Sequence, residues 1–362
     1  MPHRPTALFD PKIIFVQDKA KDYPLYEELR ESFPRADFEV FEGRHDAIPA
    51  LMEQDPKNFL NAKRDFLILA FRASNPIEPN RNKDASDFMF KGISQGCLFA
   101  CAYCYTNLHK MHSHKVAPLT LWANIDELLE TLVKHQRDHE DRIINDLFYD
   151  NDRANLTYDF ACNSDPIWEG NFFSSTKKAI EAIAKMDHGY GICTTKATEV
   201  DYLLDLDHNN MMTIEITLSP AFVVKKFEIF TGGLAERISA INKLKDAGYN
   251  VGITFAPIIL RDRWMEEYIE LFNYIDEHLT EKAKENLKGD AFFYSHRMEL
   301  PEKIPMFKKA FDVLYNSKKH PIELKPKEGG VYQYRNLKQP MEWFERNLKK
   351  YLPYFTLRYI HG

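Results

Sequence analysis

Three closely spaced cysteines could bind a metal cluster. Cys97, Cys101 and Cys104 follow the spacing C-x3-C-x2-C in the segment GCLFACAYCY. Three thiolates on one short loop can hold three irons of a [4Fe–4S] cluster and leave the fourth iron open to chelate a small molecule. A zinc site completed by a histidine further along the chain, or three buried thiols, are the alternatives. The nearest downstream histidines are His109, His112 and His114.

A separate cysteine, Cys162, lies in the segment DFACNSDP at residues 159–166. It falls at the end of a predicted strand, and the ends of barrel strands share one mouth, so we expect it near the three clustered cysteines. A thiol S–H bond is weak enough to give a hydrogen atom to a carbon radical. A lone cysteine is also often a small apolar core residue, and composition alone leaves both interpretations open.

The elements that must position these cysteines alternate along the chain from Phe88 onward. Strands are predicted at 89–94, 157–162, 189–195, 212–218, 250–256 and 290–295. Helices are predicted between them at 124–136, 173–186, 199–205, 232–247 and 263–279. This alternation predicts an α/β protein with a partial (β/α)6 TIM-type barrel, whose ligands bind at the C-terminal ends of the strands.

Two smaller parts flank the barrel. Residues 1–80 form a predicted N-terminal α/β domain, residues 81–296 the barrel, and residues 297–362 a C-terminal basic extension. The first part has strands at 12–16, 38–41 and 66–71 and a helix at 23–33, and a polar linker follows at 76–87. The extension has helices at 301–315 and 341–351 and a hairpin at 322–336 with a Gly329-Gly330 turn.

Charge is distributed unevenly between the body and the C-terminal extension. The chain has a net charge of −6, yet the residues from Arg297 onward have 14 Lys and Arg against 7 Asp and Glu. A basic region on an acidic body suits nucleic acid, although surplus lysines on a solvated helix would give the same count. The hairpin combines aromatic and cationic side chains, which could stack on bases and contact phosphates. These candidate substrate-binding residues are Lys325, Lys327, Tyr332, Tyr334 and Arg335.

The composition also bears on the compartment. No apolar run approaches the ~20 residues that span a membrane, and Met1 to Pro11 has no signal-peptide core. Five cysteines, three of them clustered, argue against a disulfide framework. We therefore expect a cytoplasmic protein that does not associate with membranes.

The cysteine spacing resembles that of the radical S-adenosylmethionine (SAM) superfamily, and nearly the whole chain resembles the spore photoproduct lyase family. The segment CNSD at 162–165 and the length of the match indicate the family within the superfamily. Further matching segments are YPL at 23–25, NAK at 61–63, TK at 195–196, VDYLL at 200–204, KFE at 226–228, AGY at 247–249, API at 256–258 and HR at 296–297.

The resemblance implies a DNA-repair lyase that splits the methylene-bridged thymine dimer of ultraviolet-damaged DNA into two thymines through a 5′-deoxyadenosyl radical. It implies a [4Fe–4S] cluster held by the three clustered cysteines, SAM as cofactor, and an electron donor such as flavodoxin or ferredoxin. Cys162 corresponds to the family's hydrogen-atom donor, and Tyr103 and Tyr105 to tyrosines near SAM. The positions that correspond to SAM contacts are Ser164, Asp165, Lys196, Thr217 and Ala256.

Two positions depart from the family pattern. The family's DNA-wedging hairpin has Arg and Tyr at its tip, where this chain has KEGG at 327–330, and Thr217 replaces a serine. A radical SAM enzyme that modifies a different nucleobase, nucleotide or protein substrate is therefore the alternative. A nucleic-acid-binding protein with a structural or redox-sensing cluster is a third hypothesis.

Overall fold

The structure is a computed structural model that describes residues 9–81, 85–108, 114–139, 156–315, 323–327 and 330–362. The strands are β1 Ile13–Gln17, β2 Asp37–Phe41, β3 Phe66–Ala70, β4 Ile77–Pro79, β5 Phe88–Phe90, β6 Ser94–Gln95, β7 Ala100–Cys101, β8 Leu119–Trp122, β9 Leu156–Asp159, β10 Gly189–Thr195, β11 Met212–Thr217, β12 Glu228–Ile229, β13 Asn250–Ile258, β14 Lys288–Phe293, β15 His296–Arg297, β16 Leu324–Lys327, β17 Val331–Tyr334 and β18 Thr356–His361.

The α-helices lie between these strands and after them. They are α1 Pro24–Ser32, α2 Pro49–Met52, α3 Phe59–Asp65, α4 Ile125–Asp138, α5 Pro166–Glu169, α6 Ser175–Ala184, α7 Ala221–Phe227, α8 Leu234–Asp246, α9 Trp264–His278, α10 Glu281–Lys284, α11 Glu299–Lys303, α12 Lys308–Tyr315 and α13 Lys338–Tyr351. The helix predicted at 199–205 is only a short 3-10 turn, Asp201–Leu203.

The larger sheet contains the predicted barrel strands. Six parallel strands follow one another in chain order as β5, β9, β10, β11, β13 and β14. This open, parallel arrangement with intervening helices confirms the predicted partial barrel. Two edge strands were missed: β4 lies antiparallel to β5 within the predicted linker, and β18 lies parallel to β14. Neither edge strand has the continuous apolar run that marks a buried strand in a sequence.

The smaller sheet has the strand order β2-β1-β3-β8-β6. Its three N-terminal strands and α1 agree with the predicted elements. Strand β8, from beyond the predicted linker, pairs in parallel with β3, and β6 pairs antiparallel with β8. Because both sheets cross the proposed boundaries at residues 80 and 296, the three-part division stays a prediction.

The C-terminal extension contains the predicted hairpin. Strands β16 and β17 pair antiparallel, and β15 pairs with β17 to form a three-stranded sheet. The helix predicted at 301–315 is divided into α11 and α12 by a 3-10 turn that begins at Pro305, whose ring removes a backbone donor. Among the described residues, no helix has the length and apolar character to cross a membrane.

Candidate active site

The cysteine loop is fixed in place from both ends. Gly96 has φ +88°, and a Cβ there would lie 2.8 Å from the Pro118 carbonyl oxygen, so the turn into the loop requires glycine. Further along, β7 pairs with β12 through Cys101 and Glu228, and the Ala102 N–H donates to the Phe227 carbonyl at 2.7 Å. The loop is therefore held against the segment that follows α7.

The three clustered cysteines line one cavity of about 180 Å³ together with most of the other predicted site residues. Among the described residues, no group of three or more His, Cys, Asp and Glu side chains could hold a metal ion. A cluster places a different iron on each thiolate, so its ligands do not converge on one point.

The electrostatic environment of the cysteine loop suits a metal group that is coordinated by thiolates. Burial raises the pKa of Cys101 to about 12, and it raises the pKa of Cys97 well above its ordinary range, against the opposing charge of Lys63. Thiols in such a site stay protonated unless a metal replaces the proton. Lys63 is only 1% exposed, and its Nζ donates to the Cys97 carbonyl at 2.5 Å, which places a cationic group beside the cysteine loop. The residues present thus fit a [4Fe–4S] cluster.

The predicted SAM-binding residues lie at the ends of three adjacent strands. Ser164 follows β9, Lys196 follows β10, and Thr217 ends β11, and all three line the cavity. Thr217 is 1% exposed, and its Oγ1 is a buried polar atom without a hydrogen-bond partner among the described residues. Such an orphan hydroxyl suits a polar ligand in the cavity. Ala256 lies in β13 and is not among the residues lining the cavity.

Asp165 holds the ends of two elements together. Its carboxylate accepts from the Thr195 hydroxyl at 2.5 Å, the Lys196 N–H at 2.9 Å and the Trp168 N–H at 3.1 Å. The last bond caps α5, and the first two fix the end of β10. Burial raises the pKa of Asp165, while these hydrogen bonds act to lower it. Asp165 therefore positions Lys196 through its backbone, in addition to lining the cavity.

Cys162 and Tyr105 lie side by side at the cavity. The Tyr105 hydroxyl donates to the Cys162 carbonyl and contacts Asn163 Oδ1 at 3.0 Å. Desolvation, aided by the charge of Asp159, raises the pKa of the Cys162 thiol well above its ordinary range. Cys162 consequently retains its S–H hydrogen at neutral pH.

A buried ion pair behind the cavity was not predicted from the sequence. Arg237 Nη2 lies 2.5 Å from Glu228 Oε2, and both side chains are fully buried. Glu228 Oε1 accepts from the Tyr103 hydroxyl at 2.6 Å, and Arg237 Nη1 donates to the Thr217 carbonyl at 2.9 Å. Burial acts to raise the pKa of Glu228, but Arg237 and Lys196 outweigh it and the pKa is lowered. The pair therefore joins the cysteine loop to the end of β11.

The sequence contained a weak signal for this pair. Glu228 belongs to the matching segment 226–228, and Arg237 lies on the apolar stripe of α8, between Leu234 and Ile241. A charged residue on such a stripe indicates a buried partner, but its identity depends on the tertiary structure.

The hairpin residues lie outside the cavity. Lys325, Lys327 and Arg335 are exposed, and Tyr332 is half-buried. Tyr334 is only 4% exposed, and its hydroxyl accepts from the Leu260 N–H at 2.9 Å, so it packs into the core and offers no free face for stacking. Of the hairpin tip at 327–330, residues 328 and 329 lie outside the described residues, as do His109 and His112.

Arg297 links the hairpin sheet to the cavity and was not predicted as a site residue. It pairs with Val331 through β15 and β17, and its guanidinium lies 5.4 Å from the centre of the Tyr105 ring. This cation–π contact connects the hairpin sheet with a tyrosine that lines the cavity.

Comparison with known proteins gives consistent matches over most of the chain. A family model described as spore photoproduct lyase matches residues 9–361. The chain is 26% identical to spore photoproduct lyase of Bacillus subtilis over 297 residues, covering 82% of this chain and 81% of the relative. It is 24% identical to that of Clostridium acetobutylicum over 350 residues, covering 96% and 98%.

Solved structures share the fold. A spore photoproduct lyase complexed with dinucleoside spore photoproduct matches with a TM-score of 0.81 at 23% identity, over 98% of this chain and 100% of the other. A cysteine-to-alanine mutant of spore photoproduct lyase with the same dinucleoside matches with a TM-score of 0.81 at 21% identity, over 99% and 100%.

Proposed function

The chain belongs to the spore photoproduct lyase family, and from that premise we propose that it is a radical SAM lyase that splits the methylene-bridged thymine dimer of DNA into two thymines. One observation carries the proposal. The three clustered cysteines, Cys162 and four of the five predicted SAM contacts line a single cavity at the ends of the barrel strands.

The residues of this cavity have distinct roles in the proposed reaction. When bound, the cluster and SAM supply a 5′-deoxyadenosyl radical that removes a hydrogen atom from the substrate. Cys97, Cys101 and Cys104 would hold the cluster, and Ser164, Asp165, Lys196 and Thr217 would surround SAM. The Lys196 ammonium suits the SAM carboxylate, and the Thr217 hydroxyl suits a polar group of the cofactor. Ala256 of β13 stays a predicted SAM contact, although it does not line this cavity.

Cys162 would return a hydrogen atom to the product. After the methylene bridge breaks, the thymine methyl radical takes the hydrogen of the Cys162 S–H bond, and a sulfur radical remains on the enzyme. The raised pKa of Cys162 supports this role, because only the protonated thiol has a hydrogen atom to give. Tyr105 contacts the neighbouring backbone and would help to return hydrogen to the SAM-derived adenosine, while Tyr103 supports the cysteine loop.

DNA is the proposed macromolecular partner. The residues from Arg297 onward have an excess of seven positive charges, and the hairpin presents exposed Lys325, Lys327 and Arg335. Phosphate contacts by such residues would position the duplex and give salt-dependent binding. A flavodoxin or ferredoxin would supply the electron. We place the reaction in the cytoplasm because all five cysteines are free and clusters of this kind need reducing conditions.

One anaerobic assay tests the proposal. Reconstituted, reduced protein is mixed with SAM and a synthetic dinucleotide spore photoproduct, and both are followed by mass spectrometry. We expect 5′-deoxyadenosine and two thymines. Formation of 5′-deoxyadenosine without repair would redirect the proposal to another base, nucleotide or protein substrate. Absence of 5′-deoxyadenosine under every reducing condition would favour a structural or redox-sensing cluster.

The variant Cys162→Ala tests the hydrogen donor in the same assay. We expect SAM cleavage to continue while most of the substrate radical is diverted to products other than two thymines. Clean repair by this variant would remove Cys162 from the mechanism. Cys193→Ala, at a buried cysteine that does not line the cavity, is the matched control.

A further inference from the structure

Lys63 is a buried cationic side chain that the proposed reaction does not use. Helix α3 places its Nζ 2.5 Å from the carbonyl oxygen of Cys97 and 5.4 Å from the centre of the Phe59 ring. The residue is 1% exposed. A buried ammonium is costly unless negative charge lies close by, so its position needs an explanation.

The cysteine loop would supply that negative charge once a cluster is bound, because its cysteines would then be thiolates. Burial lowers the pKa of Lys63, and the groups that oppose this are, in descending order, Cys97, Cys104, Cys101 and the Glu169 carboxyl. Burial also raises the pKa of Glu169, to about 8. The contact with the Cys97 backbone places Lys63 beside a residue that would be a thiolate in the cluster-bound protein, so a bound cluster would supply its counter-charge.

We propose that the positive charge of Lys63 raises the reduction potential of the cluster held by Cys97, Cys101 and Cys104. The inference rests on the proposed function only in taking these cysteines as cluster ligands. One-electron reduction adds a negative charge to the cluster, and a nearby positive charge stabilises the reduced form more than the oxidised form. Because Lys63 is buried, solvent ions screen this effect weakly.

Two substitutions separate the charge from the hydrogen bond. Lys63→Gln removes the charge but retains a donor for the Cys97 carbonyl, and Lys63→Met removes both. Lys57→Gln, at an exposed lysine in the preceding turn, is the matched control. The measurement is a redox titration of the reconstituted cluster, followed by electron paramagnetic resonance without SAM or DNA.

We expect both Lys63 variants to lower the ratio of reduced to oxidised cluster at a fixed potential about tenfold, equal to ~59 mV for a one-electron couple. The control should keep the native potential. An unchanged potential in Lys63→Gln at full iron content would overturn the proposal, and so would a decrease confined to Lys63→Met. Because no substrate is present, failure of DNA repair and failure of this inference are distinguishable.

The variant Lys63→Arg gives a second test, because it keeps a positive charge at this position. We expect its cluster to keep a reduction potential closer to the native value than the cluster of Lys63→Gln. A potential equal to that of Lys63→Gln would overturn the proposal.

Discussion

The strand-end cavity and the C-terminal hairpin differ in how well their side chains are fixed. Around the cavity, buried partners hold the predicted residues in place. The Asp165 carboxylate accepts a hydrogen bond from the Lys196 N–H, and the Glu228 carboxylate accepts one from the Tyr103 hydroxyl. On the hairpin, Lys325 and Lys327 extend into solvent. Radical chemistry needs reacting groups at set positions, which favours a buried, braced site. Phosphate binding needs only charge near a surface, so it tolerates more variation.

The largest expected effect comes from removing a cluster ligand, which tests whether the cavity is a cluster site. Cys101→Ala should abolish cluster assembly and 5′-deoxyadenosine formation, because the remaining two thiolates cannot hold the cluster. Iron content and mass spectrometry measure both. Cys193→Ala should keep its iron, since it loses only a small buried side chain. Normal iron content in Cys101→Ala would show that Cys101 is not a cluster ligand.

Removing Glu228 from its buried ion pair with Arg237 should lower the free energy of unfolding. Glu228→Ala leaves Arg237 buried without its counter-charge, and we expect a loss of about 3–5 kcal/mol in the free energy of unfolding. Chemical denaturation measures this. Asp201→Ala, which breaks the exposed Lys243–Asp201 pair, should cost about 0–1 kcal/mol. Equal losses in the two variants would mean that the Glu228 pair does not brace the site.

Substitutions at Tyr332 and Tyr334 should distinguish a tyrosine that contacts DNA from one that stabilises the core. Tyr332→Ala should weaken binding to lesion-containing DNA by about 1–3 kcal/mol if its ring stacks on a base. Tyr334→Phe should leave DNA affinity unchanged and cost about 1 kcal/mol of stability, since the Leu260 N–H loses its acceptor. Fluorescence anisotropy and denaturation distinguish these results. Weaker DNA binding in Tyr334→Phe would contradict the buried position of that ring.

The smallest effect is expected for single hairpin lysines. Lys327→Ala should reduce the slope of log affinity against log salt by about 1, with SAM cleavage in the absence of DNA unchanged. Lys57→Ala, at an exposed lysine outside the hairpin, is the control and should retain the native slope. A native slope in Lys327→Ala would move the DNA-binding surface away from the hairpin.

Much of the fold could be predicted because its signals are local. The run GYGICTT predicted β10 to the residue, and alternating strands and helices predicted the parallel sheet. Strand β18 was missed because the segment TLRYIH is neither continuously apolar nor regularly alternating. Its pairing with β14 depends on packing at the sheet edge rather than on its own residues.

The sequence by itself predicted the class of chemistry, through the spacing of Cys97, Cys101 and Cys104 and the resemblance of nearly the whole chain to one family. Only the tertiary structure decided that Lys63 and Glu228 lie against that loop and that Tyr334 faces the core. These contacts join residues far apart in the chain. Their formation depends on how helices and sheets pack, and no local pattern of residues encodes that packing.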